Sequence, residues 1–184
     1  MNQPDYRPML CKTKAERLYL MLQSGLIYCD HYIPFCDNVI KDEDNPPGWI
    51  LELATVTYIP DALNIIGTYV WSEPFIQFEQ SADFYIACLF LRYQQRHISW
   101  RTFLEQAGHY SDAYQEGYYD CSYYYGMTNQ LVESEHNLHC EEIQVQEIAH
   151  QFATVIACAR EIYHDFVLWF RAGKSQNMTG PSHV

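Results

Sequence analysis

Two histidines in the C-terminal third each follow a glutamate by three residues. Glu147-Ile148-Ala149-His150 and Glu161-Ile162-Tyr163-His164 both read ExxH, and Glu133-Ser134-Glu135-His136 repeats the spacing upstream. On a helix this spacing puts a carboxylate and an imidazole on one side, as di-metal carboxylate sites require. Such sites draw their two motifs from different helices that face each other. Here both motifs fall in one helical run, 14 residues apart from His150 to His164, or roughly 21 Å of helix. They cannot share one metal pair, and solvated positions beside a core stripe explain them equally well. No metal or other cofactor is expected; Glu147, His150, Glu161 and His164 are the ligands of the alternative. His136, His139 and Cys140, with Glu141 and Glu142, form a denser cluster. His-x2-His is not a zinc spacing by itself, and acidic first-turn residues are ordinary at a helix start. There is no phosphate-binding glycine loop, no GxSxG elbow, and no CxxC pair among the seven cysteines.

Arg92-Tyr93-Gln94-Gln95-Arg96-His97 is an Arg-x4-His arrangement near a helix end. It resembles the active-site motif of HEPN ribonucleases, small all-helical proteins that use arginine and histidine to cleave RNA. The resemblance implies Arg92 and His97 as the reacting pair of an enzyme. The residue after the family's arginine is usually polar, whereas Tyr93 stands here. A bland reading competes: cationic side chains at a helix C-terminus complement its dipole. No catalytic residue is expected, and a helical enzyme, either ribonuclease or metal-dependent, remains the alternative.

The stretch His109–Met127 stands out most. Seven tyrosines, Tyr110, Tyr114, Tyr118, Tyr119, Tyr123, Tyr124 and Tyr125, alternate there with Asp112, Glu116 and Asp120. Seven tyrosines cannot all be buried with satisfied hydroxyls. Tyrosine suits interfaces because it joins a large area and low entropy cost to one polar tip. Acidic groups among the rings suit a basic partner. Tyr110, Asp112, Tyr114, Glu116, Tyr118, Tyr119, Asp120, Tyr123 and Tyr124 are therefore candidate contact residues. The competing reading gives half of these rings to the core.

Charge supports a basic protein partner. The chain has 23 acidic and 11 basic residues, a formal net charge of −12. Nucleic acid and anionic membrane both demand basic patches, so neither is an expected partner. Solubility alone also explains an acidic surface. The segment Met1–Leu10 holds Asp5, Arg7 and two prolines, with no apolar export core after it. No stretch reaches the ~18 apolar residues of a membrane span. The expected setting is a reducing cytoplasm with mostly buried free thiols.

The elements that must position these residues read as helices. Ile148, Phe152, Val155, Ala159, Ile162, Phe166 and Phe170 recur at steps of three and four residues, the spacing of one helix face. Ile143, Val145, Ile156, Tyr163, Val167 and Trp169 widen the stripe. The run Glu141–Arg171 contains no proline or glycine, which predicts one long C-terminal helix. Thr13 and Glu16 make a capping box, Gly25 a helix end, Ser99 a cap and Gly108 a second end. Pro34 conflicts with a helix over Leu26–Ile40. Strand signals are scarce. The prediction is all-α: a single-domain bundle of six to eight helices over 13–171, packed around the C-terminal helix. Residues 1–12 read as a loose lead-in and 172–184 as a frayed tail.

One stretch resembles a known group. Leu26-Ile27, a helix, the acidic turn Asp42-Glu43-Asp44, then Pro46-Pro47-Gly48-Trp49-Ile50-Leu51-Glu52-Leu53 resembles small acidic all-helical bacterial immunity proteins of polymorphic toxin systems. The likeness covers about thirty residues and is structural: helix, capped turn, helix. It implies a protein that neutralises a toxin by occlusion, with Asp42, Glu43 and Asp44 as a second candidate surface. Nuclease toxins are basic because they bind phosphates, so an acidic inhibitor can steer toward them. Oligomeric state is not legible.

Overall fold

The computed structural model describes residues 4–114 and 117–177, with the side chains of 175–177 left aside. Glu116 and the tail residues 178–184 lie outside the described residues. Among those described, every regular element is helical: a 3-10 turn at Arg7–Leu10, then α1 (Lys12–Gln23), α2 (Cys29–Asp42), α3 (Gly48–Leu53), α4 (Ile59–Val70), α5 (Ser81–Gln94), α6 (Trp100–Ala113), α7 (Cys121–Glu133), α8 (Leu138–Gln151) and α9 (Ala153–Asn177). The protein is all-α. Its contacts gather into two compact units.

The first unit takes Met1–Gln23, Ile27–Gln77 and Glu161–Val184. In it α1 packs on α4, and α3 on both α2 and α4. Phe35 of α2 meets Phe166 and Trp169 of α9 at ring centroids of 5.6 and 5.1 Å. Buried His31 stacks on Phe170 at 5.3 Å. Pro34 sits inside α2 after all. A Cβ added to Gly173 would stand 3.3 Å from the Pro34 ring, so glycine lets α9 pass the proline closely. The lead-in is packed rather than loose: Tyr6 and Met9 are buried, and the Tyr6 hydroxyl donates to Glu43 at 3.0 Å. A tertiary hydrogen bond holds a segment whose own sequence carries no helical period. Trp71–Gln77 is exposed throughout, with Lys12 donating to the Ser72 and Pro74 carbonyls.

The second unit takes Ser24–Leu26 and Phe78–Arg160. Here α6 packs on α5 and α7, and α7 on α8. Its core centres on Phe90, Trp100 and Phe103; Trp100 and Phe103 stack at 4.6 Å. Trp100 Nε1 donates to Gln144 Oε1 at 2.8 Å, and Gln144 Nε2 donates to the Met127 carbonyl at 2.9 Å. One buried amide thus ties α6, α7 and α8 together with its polar atoms satisfied.

Three local expectations are corrected. The long C-terminal helix is two helices, interrupted at Phe152. No proline or glycine lies there; what marks the point is a ring buried to 3% exposure with Tyr119 6.0 Å away. The Phe152 amide still reaches Ile148 O, and Ile156 N still reaches Phe152 O. The covered stripe runs Ile148, Phe152, Ile156, Ala159, Ile162, Phe166, Trp169, while Ile143 is exposed. Gly108 does not end α6, which continues to Ala113. A Cβ at Gly108 would stand 2.7 Å from the Tyr125 ring, so this glycine serves a close approach. The free thiols are not mostly buried: only Cys36 and Cys88 are, because the other five lie at surface or half-covered positions. Burial, and after it Asp37, pushes the Cys36 thiol upward.

Candidate functional site

The tyrosine-rich stretch is built into the second unit as two short ladders of rings. In the first, Tyr85 of α5 stacks on Tyr110 of α6 at 3.7 Å, and Tyr110 stacks on Tyr114 at 4.6 Å. In the second, Tyr123 of α7 stacks on Tyr119 at 3.8 Å, and Tyr119 meets Tyr118 edge to face at 4.7 Å. Each ladder runs outward. Tyr114 ends the first at 50% exposure and Tyr118 ends the second at 71%. The spacing explains the layout: Tyr110 and Tyr114 are four apart at the end of α6, neighbours on one helical face.

Carboxylates brace the ladders. Asp83 Oδ1 accepts from the Tyr118 backbone N–H at 2.8 Å, fixing the loop that carries the more exposed of the two ladder ends. Asp120 caps α7 by accepting from Tyr123 N, and also accepts from Ser122 Oγ at 2.5 Å. Those two bonds, Ser122 first, hold the Asp120 carboxyl below its usual value. The Tyr123 hydroxyl donates to Glu147 at 2.8 Å, and the Cys121 thiol lies 3.6 Å from Asp112 Oδ1. Asp112 and Asp120 are both exposed.

The electrostatics decide what the rings can do. Burial first, then the bond to Glu147, pushes the Tyr123 phenol well above its ordinary value. Burial also raises Tyr119, Tyr85 and Tyr124. These phenols are neutral at physiological pH, so they offer ring surface and hydrogen bonds rather than acid–base chemistry. Tyr124 is 1% exposed, and its hydroxyl bonds to Ser111. Its ring belongs to the core, not to the contact surface, because α6 and α7 close over it. Tyr110, Tyr119 and Tyr123 are half-buried supports for Tyr114 and Tyr118.

The other candidates lie elsewhere. Asp42 and Asp44 are exposed in the first unit, and Glu43 is tied to Tyr6 and Arg7. Arg92 is turned inward: its guanidinium donates to the Ser24 carbonyl at 2.5 Å and lies 3.5 Å from Gln106. Its Nε is buried without a partner. His97 is exposed, and its backbone N–H closes α5 on the Arg92 carbonyl at 2.9 Å while Arg96 takes a left-handed φ of 60°. That is a Schellman end, with the backbones of Arg92 and His97 as its outer pair. Glu147 and His150 fall on α8, Glu161 and His164 on α9. Among the described residues no group of three or more His, Cys, Asp or Glu is placed to hold a metal ion.

Sequence reasoning missed Asp83 and Tyr85, which reach the ladders from α5 with no local motif to announce them. It also missed Tyr93, whose hydroxyl donates to Glu141 at 2.7 Å. These two residues line a shallow hollow of about 320 Å³ together with Leu138, Glu142, Val145 and Gln146. No helix among the described residues is long and apolar enough to cross a membrane. No family model matches the chain, and comparison with curated proteins and with solved structures likewise gives no match.

Proposed function

We propose that this chain is a cytoplasmic binding protein of the immunity class, neutralising a basic toxin by occlusion, and that the outer ends of the tyrosine ladders touch that partner. One observation carries the reading. Two exposed rings, Tyr114 and Tyr118, stand in a setting of Asp83, Asp112, Asp120 and Glu147. The segments 78–91 and 110–135 of the second unit, in which all the ladder rings lie, contain no Lys, Arg or His in sequence. Rings already stacked on their neighbours lose little freedom when a partner covers them. A negative field attracts a cationic surface over about a Debye length, ~8 Å at physiological salt. The likeness of Leu26–Leu53 to immunity proteins supports the same direction. A nuclease toxin, basic because it binds phosphates, is the partner whose charge fits best.

The test is co-expression with the product of the neighbouring gene. A stable complex that restores growth, and whose association slows as salt rises, is the expected result. Failure of that product to bind, or rescue unaffected by Asp112→Lys and Asp120→Lys together, would count against it.

A further inference from the structure

The ladder that ends in Tyr118 joins an exposed ring to a nearby carboxylate. Tyr118 is held at both ends of its residue: its ring stands on the Tyr119 ring, and its backbone N–H is bonded to Asp83. At 71% exposure the ring leaves most of its surface to solvent. Asp83 Oδ1 accepts the Tyr118 N–H at 2.8 Å, so a carboxylate stands beside the residue that carries the exposed ring. A π face beside a carboxylate suits a planar, weakly hydrated cation. Guanidinium can lie flat on the ring and direct N–H groups sideways at a carboxylate. A lysine ammonium is compact and strongly hydrated, and it gains less from such a surface.

We propose that the anchor taken by this surface is an arginine of the partner, its guanidinium laid on the Tyr118 ring and paired with Asp83. The inference rests on the basic-partner reading and specifies its chemistry. It predicts discrimination between two cations of equal charge, which an acidic surface acting by net charge alone does not provide.

The experiment uses the full chain and two probes, octa-arginine and octa-lysine, at matched ionic strength. Affinities come from NMR titration, following the Tyr118 ring resonances. Octa-arginine should bind about threefold tighter or more, the size expected of an exposed cation–π contact. Tyr118→Ala should bring the two affinities together, while Tyr118→Phe should keep the preference because the ring face remains. Asp83→Asn should lower both affinities and shrink the difference. Thermal melts of each variant confirm that the fold is intact. Equal binding of both probes to the wild-type chain, or a preference that survives Tyr118→Ala, overturns the arginine anchor. In either of those cases salt-dependent binding of both probes leaves the basic-partner reading standing. Binding of neither probe overturns both.

Discussion

Tyr118 and Tyr124 are six residues apart and chemically identical, yet they should respond to truncation in opposite ways. Tyr124 is 1% exposed between α6 and α7, with its hydroxyl on the buried Ser111. Removing a fully buried aromatic ring deletes its transfer free energy and leaves a cavity, about 3–5 kcal/mol in all. For a chain of this size each kcal/mol is about 2–4 °C of melting temperature, so Tyr124→Ala should melt roughly 6–20 °C lower. Tyr124→Phe keeps the ring and strands Ser111, which costs about 1–3 kcal/mol if nothing replaces the bond. Tyr118 is 71% exposed, and its ring meets that of Tyr119 edge to face. Tyr118→Ala should fall within about 0.5 kcal/mol of the parent chain. Urea unfolding followed by far-ultraviolet circular dichroism on the four proteins gives the comparison. If Tyr118→Ala loses as much stability as Tyr124→Ala, the ladder ends are structural, and the case for a contact surface fails. If Tyr124→Ala loses under about 1 kcal/mol, the ring is not in the core.

Further outcomes follow from particular contacts. Gln144→Leu strands the Trp100 indole N–H and should cost about 1–3 kcal/mol, less in a Trp100→Phe background, measured by a double-mutant cycle of urea unfolding. Gly108→Ala places a methyl 2.7 Å from the Tyr125 ring and should destabilise by about 1–3 kcal/mol, with recovery in Gly108→Ala/Tyr125→Ala. Ser99→Ala removes the acceptor of Thr102 N at 3.1 Å and should cost about 1 kcal/mol in a thermal melt. Burial, and then the bond to Glu141, pushes the Tyr93 phenol from 10.0 up to about 12. A raised folded value makes this contribution complete below pH 10 and lost as pH rises toward about 12. Stability measured from pH 9 upward should fall more gently in Tyr93→Phe.

Much of the fold was legible because helices are specified locally. The three-and-four spacing from Ile148 to Phe170 announced a buried face, and the face formed, with Ile156 and Trp169 in place of Val155 and Phe170 at the centre. Ser99 was readable as a cap because capping involves only its own first turn, and its side chain does accept from Thr102 N. The acidic, tyrosine-rich character of residues 109–127 was equally plain, since composition needs no neighbours. What tertiary structure alone decided is which partner each residue meets. The break at Phe152 falls in a run with no helix breaker, and no local residue type announces it. Gly108 reads as a helix end, yet α6 continues to Ala113, and the glycine instead makes room for the Tyr125 ring of α7. Arg92 stood only as half of the alternative reacting pair, and it is the Ser24 carbonyl, 68 residues away in the chain, that its guanidinium meets. Tyr118 and Tyr124 could not be told apart by type or by spacing. One faces solvent because Asp83, 35 residues earlier, holds its backbone in an exposed loop; the other is buried because α6 packs against α7. Helical period and capping act over a few residues and are written in the chain. Burial and pairing act across elements, and only the packed molecule sets them.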